Sequence, residues 1–220
     1  MVGLFDSGSG GLNTVRYVKE YSPDVDLVYL IDRARAPYGI RTERELVEIT
    51  KENIEALLDR GAERVLIACC TASTVHSLLP NELRSLSIPI IDAIAKMAKA
   101  STRIGRIGVI ATERTVRSHF FKTALSGCEV HELALTELVT LIDGGLCDTS
   151  IDDEGKIALE YMLLPLLKRD IDTLVLGCTH FPALIKTIEN ITRPYGVGTV
   201  IDSARIGAEL ITEAQRKLYR

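Results

Sequence analysis

Short apolar runs alternate with amphipathic stretches along the whole chain. Runs rich in Val, Ile and Leu predict strands near 2–6, 27–31, 64–69, 88–91, 106–111, 129–133, 173–177 and 197–201. Between them, apolar residues at helical spacing predict helices near 12–21, 43–60, 72–84, 93–101, 113–125, 135–143, 152–168, 182–190 and 203–218. The second helix is the best marked. Thr42-Glu43-Arg44-Glu45 has the form of a capping box, Val47, Thr50, Ile54, Leu57 and Leu58 line one face, and Gly61 ends it. Strands alternating with helices predict an α/β fold with largely parallel sheets. Ligands of such sheets sit beyond the carboxyl ends of the strands, so the chemistry should lie just after strands.

The pattern also repeats weakly. Val2–Ser7 (VGLFDS) matches Ile107–Thr112 (IGVIAT) at an offset of 105 residues, and Val65–Thr71 (VLIACCT) matches Leu174–His180 (LVLGCTH) at 109. Short apolar strings also match by chance, but two near-equal offsets point to two related α/β halves. The expected division is residues 1–92 with 202–220, carrying Asp6 and Cys69, and residues 93–201, carrying Cys178 and His180. In that reading Cys69 and Cys178 are equivalent, and Cys70 corresponds to Thr179.

Composition narrows the class. A chain of 220 residues, 46% apolar and 25% charged, is an ordinary globular protein. It can bury roughly 70% of its unfolded surface, so it needs no disulfide or metal to fold. The net charge of −4, with signs interspersed, offers no field for nucleic acid or an anionic membrane. No apolar run approaches the ~20 residues of a bilayer span, and nothing after Met1 resembles a secretory leader. Five cysteines without a C-x-x-C pair point to free thiols in a reducing cytoplasm.

Four segments carry candidate chemistry. In FDSGSGGL (Phe5–Leu12) an acid and a hydroxyl end a strand, and glycines follow that let the backbone approach a ligand. The next helix start offers N–H groups to an anion. Asn13 stands where a dinucleotide fingerprint needs its third glycine, and no Gly-Lys-Ser/Thr makes a P-loop; a plain strand–helix turn explains the segment equally well. In Asp32–Thr42 (DRARAPYGIRT) Pro37 and Gly39 mark a turn around Tyr38, which by itself reads as a solvated loop. Free cysteines usually pack as small apolar groups. That reading suits Cys128 and Cys147, which have no evident polar partner nearby in sequence. Cys178 is followed by Thr179 and His180, and Cys69 by Thr71, Ser73 and Thr74; a histidine or a helix start can tune such a thiol. Two other uses of these residues stay open. Zinc held by Cys69, Cys178, His180 and Asp6 lacks the usual tight local ligand pairs. A covalent Cys178–His180 nucleophile leaves Cys69 without a role.

Taken together and in order, the segments resemble the glutamate racemases of the aspartate/glutamate racemase superfamily. DSGSGG (6–11), ARAPYG (34–39), IACCTAS (67–73) and GCTHFP (177–182) look like that family's four motifs, and the resemblance covers essentially the whole chain. It implies two pseudo-symmetric α/β domains facing across a central active-site cleft. It also implies cofactor-independent racemisation of glutamate, supplying D-glutamate for bacterial cell-wall peptidoglycan. Cys69 and Cys178 would be the catalytic thiols, assisted by Asp6 and His180. Asp6, Ser7, Tyr38, Gly39, Cys70, Thr71, Thr179 and His180 would bind the substrate. Asp143 sits where the family tends to have a glutamate near the second thiol, and Cys70 replaces its asparagine. No metal and no cofactor are implied, and no Schiff-base lysine stands beside these strand ends. The oligomeric state stays open, with a homodimer as one option. An aspartate racemase or related isomerase is the enzyme alternative; a non-catalytic amino-acid-binding or regulatory protein is the alternative of another class.

Overall fold

The computed structural model of the protein describes residues 1–219. Its first part runs β1 (Val2–Asp6), α1 (Gly11–Tyr21), β2 (Leu27–Ile31), α2 (Glu43–Leu58), β3 (Arg64–Ile67), α3 (Cys70–Ser73), α4 (Asn81–Leu86), β4 (Ser87–Pro89) and α5 (Ile90–Ser101). There follow β5 (Arg106–Ala111), α6 (Glu113–Arg117), α7 (Phe120–Ala124), β6 (Glu129–Ala134), α8 (Thr136–Asp143) and α9 (Asp153–Leu167). The chain closes with β7 (Thr173–Gly177), α10 (Ile185–Thr192), β8 (Thr199–Ile201) and α11 (Ser203–Leu218). Two compact units result, Met1–Ile91 with Ser203–Arg220, and Asp92–Asp202.

Each unit holds one four-stranded parallel sheet, in the orders β2-β1-β3-β4 and β6-β5-β7-β8. The second order repeats the first strand for strand, and so does the register. Gly3 pairs with Val65 in β1–β3, and Gly108 pairs with Leu174 in β5–β7. The two strings matched in sequence are therefore adjacent strands of each sheet, in one common alignment. β1 and β7 are buried along their whole length, as expected where helices cover both faces of a parallel sheet.

The first unit's core gathers Phe5, Leu46, Ile54, Leu57, Val65 and Ile67. The capping box on α2 forms: the Glu45 N–H donates to Thr42 Oγ1 at 3.3 Å and the Thr42 N–H to Glu45 Oε2 at 2.8 Å. The buried face of α2 is Leu46, Ile49, Thr50, Asn53, Ile54 and Leu57, whereas Val47 and Leu58 are half-buried. The buried stripe is therefore rotated from the expected one: it takes in Leu46, Ile49 and the polar Asn53 and leaves Val47 and Leu58 at its edge. α11 returns to pack on α1, where the Thr212 hydroxyl donates to Ser22 Oγ at 3.0 Å. Gly207 permits the approach, since a Cβ there would lie 2.9 Å from Thr14 Cγ2. The second unit's core centres on Ile110, Leu163, Leu174, Leu176, Phe181 and Ile188.

Two expected helices are broken. Over 72–84 the chain forms α3, a 3-10 turn at His76–Leu78 and α4. Pro80 is extended (φ −52°, ψ 144°) and lacks an N–H, and Leu79 before it is extended too. Over 113–125, α6 and α7 are separated at His119, whose φ is +53°. The Ser118 hydroxyl donates to the Thr115 carbonyl at 2.6 Å and accepts the Phe120 N–H at 3.3 Å, replacing helical bonds with local ones. Strand β3 also stops at Ile67, short of the expected 69.

Candidate active site

In both sheets successive strands reverse direction of travel across the sheet between the two central strands, β1 and β3 or β5 and β7. Beyond the carboxyl ends of such a pair the flanking connections diverge and leave a crevice. The residues there are Asp6 and Ser7 after β1, Cys69 after β3, and Cys178, Thr179 and His180 after β7.

In the first unit Asp6 is fully buried. Its Oδ2 accepts the N–H groups of Gly8 at 3.3 Å and Gly11 at 3.0 Å, folding the glycine loop back over the strand end. Gly11 is required here, because a Cβ would lie 2.6 Å from Tyr29 Oη and 2.8 Å from Asp6 Cβ. The Tyr29 hydroxyl donates to the Gly8 carbonyl at 3.1 Å and pins the loop from the neighbouring strand. Tyr29 was not expected from sequence; its place on β2 beside β1 is what brings it in.

Cys69 is 5% exposed and occupies the N-cap position of α3. Its Sγ lies 3.5 Å from Ser7 Oγ. Burial pushes the Cys69 thiol up, the Asp6 carboxylate pushes it further, and together they raise it to about 11. The backbone N–H groups of Ala72 and Ser7 and the Ser7 hydroxyl pull the other way without prevailing. The doublet does not lie on a strand: Cys69 is extended, and Cys70 starts the helix, 1% exposed. Thr71 is buried beside it, and the Ser73 hydroxyl donates to the Ile67 carbonyl at 3.0 Å, tying α3 to its strand.

Tyr38 and Gly39 lie in a 3-10 turn, Tyr38–Ile40, that follows a cis peptide at Ala36–Pro37. Tyr38 is buried in the same apolar cluster as Cys69. Its hydroxyl donates to Asp32 Oδ2 at 2.6 Å. Asn53 Nδ2 donates to that carboxylate at 3.1 Å and to Tyr38 Oη at 2.8 Å, and Arg35 Nε donates to it at 2.7 Å. Burial pushes the Asp32 carboxyl up, but hydrogen bonds from Tyr38, Asn53 and Arg35 outweigh it and hold it below its usual range. The segment is thus no solvated loop. The signal available in sequence was Asn53, a polar residue in phase with the buried stripe of α2.

In the second unit Cys178, Thr179 and His180 are all buried. Cys178 Sγ lies 3.7 Å from His180 Nδ1, and His180 Nε2 lies 3.1 Å from Oδ1 of Asp143, the last residue of α8. With Nε2–H directed to the carboxylate, Nδ1 faces the thiol as an acceptor. The arrangement can take a proton from sulfur and hold the resulting imidazolium against Asp143.

The other thiols differ. Cys128 is half-buried. Cys147 is not the apolar packing residue expected. It lies in the loop between α8 and α9 with Thr149 Oγ1 at 3.3 Å and Ser150 Oγ at 3.4 Å from its sulfur. Hydrogen bonds from the Ser150 and Thr149 side chains bring its thiol down to about 7. Among the described residues no three His, Cys, Asp or Glu side chains are placed to hold a metal ion, and no helix is long and apolar enough to cross a membrane.

Comparison with known proteins agrees with this layout. The family model described as Asp/Glu/Hydantoin racemase matches residues 13–211. The chain is 37% identical over 217 residues to the glutamate racemase of Aquifex aeolicus, covering 96% of this chain and 82% of that one. Glutamate racemase isoform RacE1 of Bacillus anthracis superposes with a TM-score of 0.85 at 33% identity, over 99% of this chain and 82% of that one. The Escherichia coli glutamate racemase, solved in complex with L-glutamate and the activator UDP-MurNAc-ala, superposes with a TM-score of 0.74 at 30% identity. That match covers 96% of this chain and 81% of the other.

Proposed function

Because the chain belongs to the Asp/Glu/Hydantoin racemase family and matches glutamate racemases over nearly its full length, we propose that it interconverts L- and D-glutamate through two thiols, Cys69 and Cys178. It is an isomerase, an amino-acid racemase. The observation that carries the two-thiol reading is the pair of buried cysteines at matching strand ends of two sheets with one strand order.

The chemistry accounts for the residues. Inversion at Cα needs a base on one face and an acid on the other, and each unit supplies one thiol. A thiolate removes the α-proton, the opposite thiol gives its proton to the other face, and the two sulfurs exchange protonation states. The α-proton is weakly acidic, so the developing enediolate needs convergent N–H and hydroxyl donors. Ser7, Gly39, Cys70, Thr71 and Thr179 make that shell in this reading. Tyr38 joins it through its ring and backbone, its hydroxyl being held by Asp32. Cys69 sits beside a buried carboxylate that disfavours its thiolate. The substrate ammonium is the cation this pair lacks: placed against Asp6, it offsets the carboxylate and favours ionisation of Cys69. His180, backed by Asp143, performs the corresponding service for Cys178.

No cofactor enters this mechanism. The enzyme acts on free glutamate in the cytoplasm, provides D-glutamate for peptidoglycan, and engages neither nucleic acid nor membrane. A second reading, racemisation of aspartate, draws on Cys70, a thiol buried beside Cys69 where an amide would bind a substrate carboxylate more strongly. One experiment separates the readings. Purified protein, dialysed against a chelator and without added cofactor, is incubated with each enantiomer of glutamate and then of aspartate while circular dichroism is followed. Decay of the glutamate signals alone is expected; turnover of aspartate alone favours the second reading, and inactivity toward both defeats each.

A further inference from the structure

β2 is an edge strand of the first sheet, and every residue of it is half-buried. Tyr29 stands at its middle, in register with Leu4, while Asp6 pairs with Ile31 two residues further on. That offset is roughly 6.6 Å along the strand, and the length of the tyrosine side chain spans it. Its hydroxyl thereby reaches the glycine loop and donates to the Gly8 carbonyl at 3.1 Å. A shorter side chain would stop below the loop, and phenylalanine would reach it without a donor. Burial and, after it, the Asp6 carboxylate push this hydroxyl well above the ordinary tyrosine range, so it stays protonated and able to donate. The charged and titratable groups around it are Asp6 on β1, Arg33 after β2 and Cys69 after β3.

The segment held by that bond has little stiffness of its own, because three of its residues, Gly8, Gly10 and Gly11, lack a Cβ. Gly8 is fixed at both of its peptide groups. Its N–H donates to Asp6 Oδ2 at 3.3 Å, a long bond, and its carbonyl takes the Tyr29 hydroxyl. Ser7 therefore sits between two anchored residues, since the Asp6 carbonyl accepts the Asp32 N–H at 3.0 Å. Its own Oγ lies 3.5 Å from Cys69 Sγ. Of the groups that favour a Cys69 thiolate, Ser7 supplies its hydroxyl and its N–H, and Ala72 its N–H.

We propose that Tyr29 is a positioning residue for the first thiol: its hydroxyl fixes Gly8, Gly8 fixes Ser7, and Ser7 keeps two donors on the Cys69 sulfur. This role rests on the reading of Cys69 as an acid/base thiol and assigns its tuning to an edge-strand side chain. Without the Tyr29 hydroxyl, Gly8 keeps only its long bond to Asp6, Ser7 turns more freely, and the thiolate loses donors. Cys178, flanked by Thr179 and His180 in place of a glycine loop, has no such dependence.

The test is the rate of alkylation of each cysteine by iodoacetamide from pH 7.5 to 10, read by peptide mass mapping, with urea melts to verify folding. Labelling is read without turnover, so failure of this inference and failure of the proposed activity are distinguishable. In Tyr29→Phe the rate–pH line of Cys69 should move up by roughly half a unit to one unit, about three- to tenfold slower labelling at each pH. Cys178 should keep its rate. 4-Aminophenylalanine at position 29 retains a donor and should restore Cys69 labelling to within about twofold of wild type. Ser7→Ala lacks the hydroxyl but keeps the N–H, so adding Tyr29→Phe to it should slow labelling by less than about twofold. Unchanged or faster Cys69 labelling in folded Tyr29→Phe overturns the proposal. So does equal slowing at Cys178, failure of 4-aminophenylalanine to restore labelling, or full additivity with Ser7→Ala.

Discussion

Asp143 stands against the far nitrogen of His180: its Oδ1 lies 3.1 Å from Nε2, while Nδ1 lies 3.7 Å from the sulfur of Cys178. This contact orients the His180 ring toward the Cys178 thiol, so removing the carboxylate should act on turnover. Asp143→Asn is expected to lower kcat by about ten- to a hundredfold, the worth of one hydrogen bond to a charged group, with a smaller change in KM. Asp143→Glu should retain most activity. Wild-type kcat in Asp143→Asn would show that the carboxylate has no part in the chemistry.

The cysteines should divide into two classes. Cys69→Ala and Cys178→Ala each remove an acid/base group and are expected to lower racemisation by at least about a hundredfold. Cys128→Ala and Cys147→Ala should stay within about twofold of wild type, in keeping with surface changes away from a site. In heavy water, product formed early from either enantiomer should carry deuterium at Cα while unreacted substrate keeps hydrogen. Equal early labelling of both pools indicates one shared base.

Thiol reactivity should follow the local fields. At pH 7.5 and without substrate, iodoacetamide followed by peptide mass mapping should modify Cys147 first, since its hydroxyl partners lower it to about 7. Cys69, raised to about 11, should lag. Asp6→Asn removes the neighbouring negative charge and should move the onset of Cys69 alkylation to lower pH. Because folding raises this thiol, its contribution to stability is whole below the ordinary cysteine value of about 8.5 and is lost as pH rises through about 11. Faster labelling of Cys69 than of Cys147 at pH 7.5 contradicts this ordering.

Cys70 opens α3 directly after Cys69 and is buried. Cys70→Ala should keep measurable racemisation, and Cys70→Asn should lower KM for glutamate or raise kcat by restoring an amide donor and acceptor. If Cys70→Ala is as inactive as Cys69→Ala, the roles within the doublet are wrongly divided.

Tyr38→Phe should reduce stability by about 1–3 kcal/mol, the cost of leaving buried polar partners short of a bond. Asp32 is held below its usual carboxylate range, so the stability it contributes is present above its unfolded value of about 4 and lost as pH falls through its lower folded value. Loss of the Tyr38 bond moves that folded value upward, and acid unfolding should begin at higher pH. Urea melts at pH 7 and pH 4 measure both effects; an unchanged midpoint at pH 7 rules out a structural role for the hydroxyl.

Sequence by itself determined the strands, the strand-end thiols and their equivalence. These are properties of local period and of chemistry at fixed offsets from it: a short apolar run such as Leu174–Gly177, set between amphipathic helical stretches, reads as a buried strand, and whatever follows it lies at the carboxyl edge of the sheet. Breaks within helices were less legible, because a local bond such as Ser118 to Thr115 competes with the helix by an amount that periodicity does not encode. Partnerships across the fold were decided by tertiary structure alone. Asp32, Tyr38 and Asn53 meet because α2 packs beside the strand ends, and sequence separation carries no trace of that distance. Tyr29 enters the glycine loop through parallel pairing of β2 with β1. The contrast between Cys69 and Cys147 is likewise tertiary in origin: two thiols of identical intrinsic chemistry are driven apart, one upward by burial and a carboxylate, the other downward by hydroxyls in an open loop.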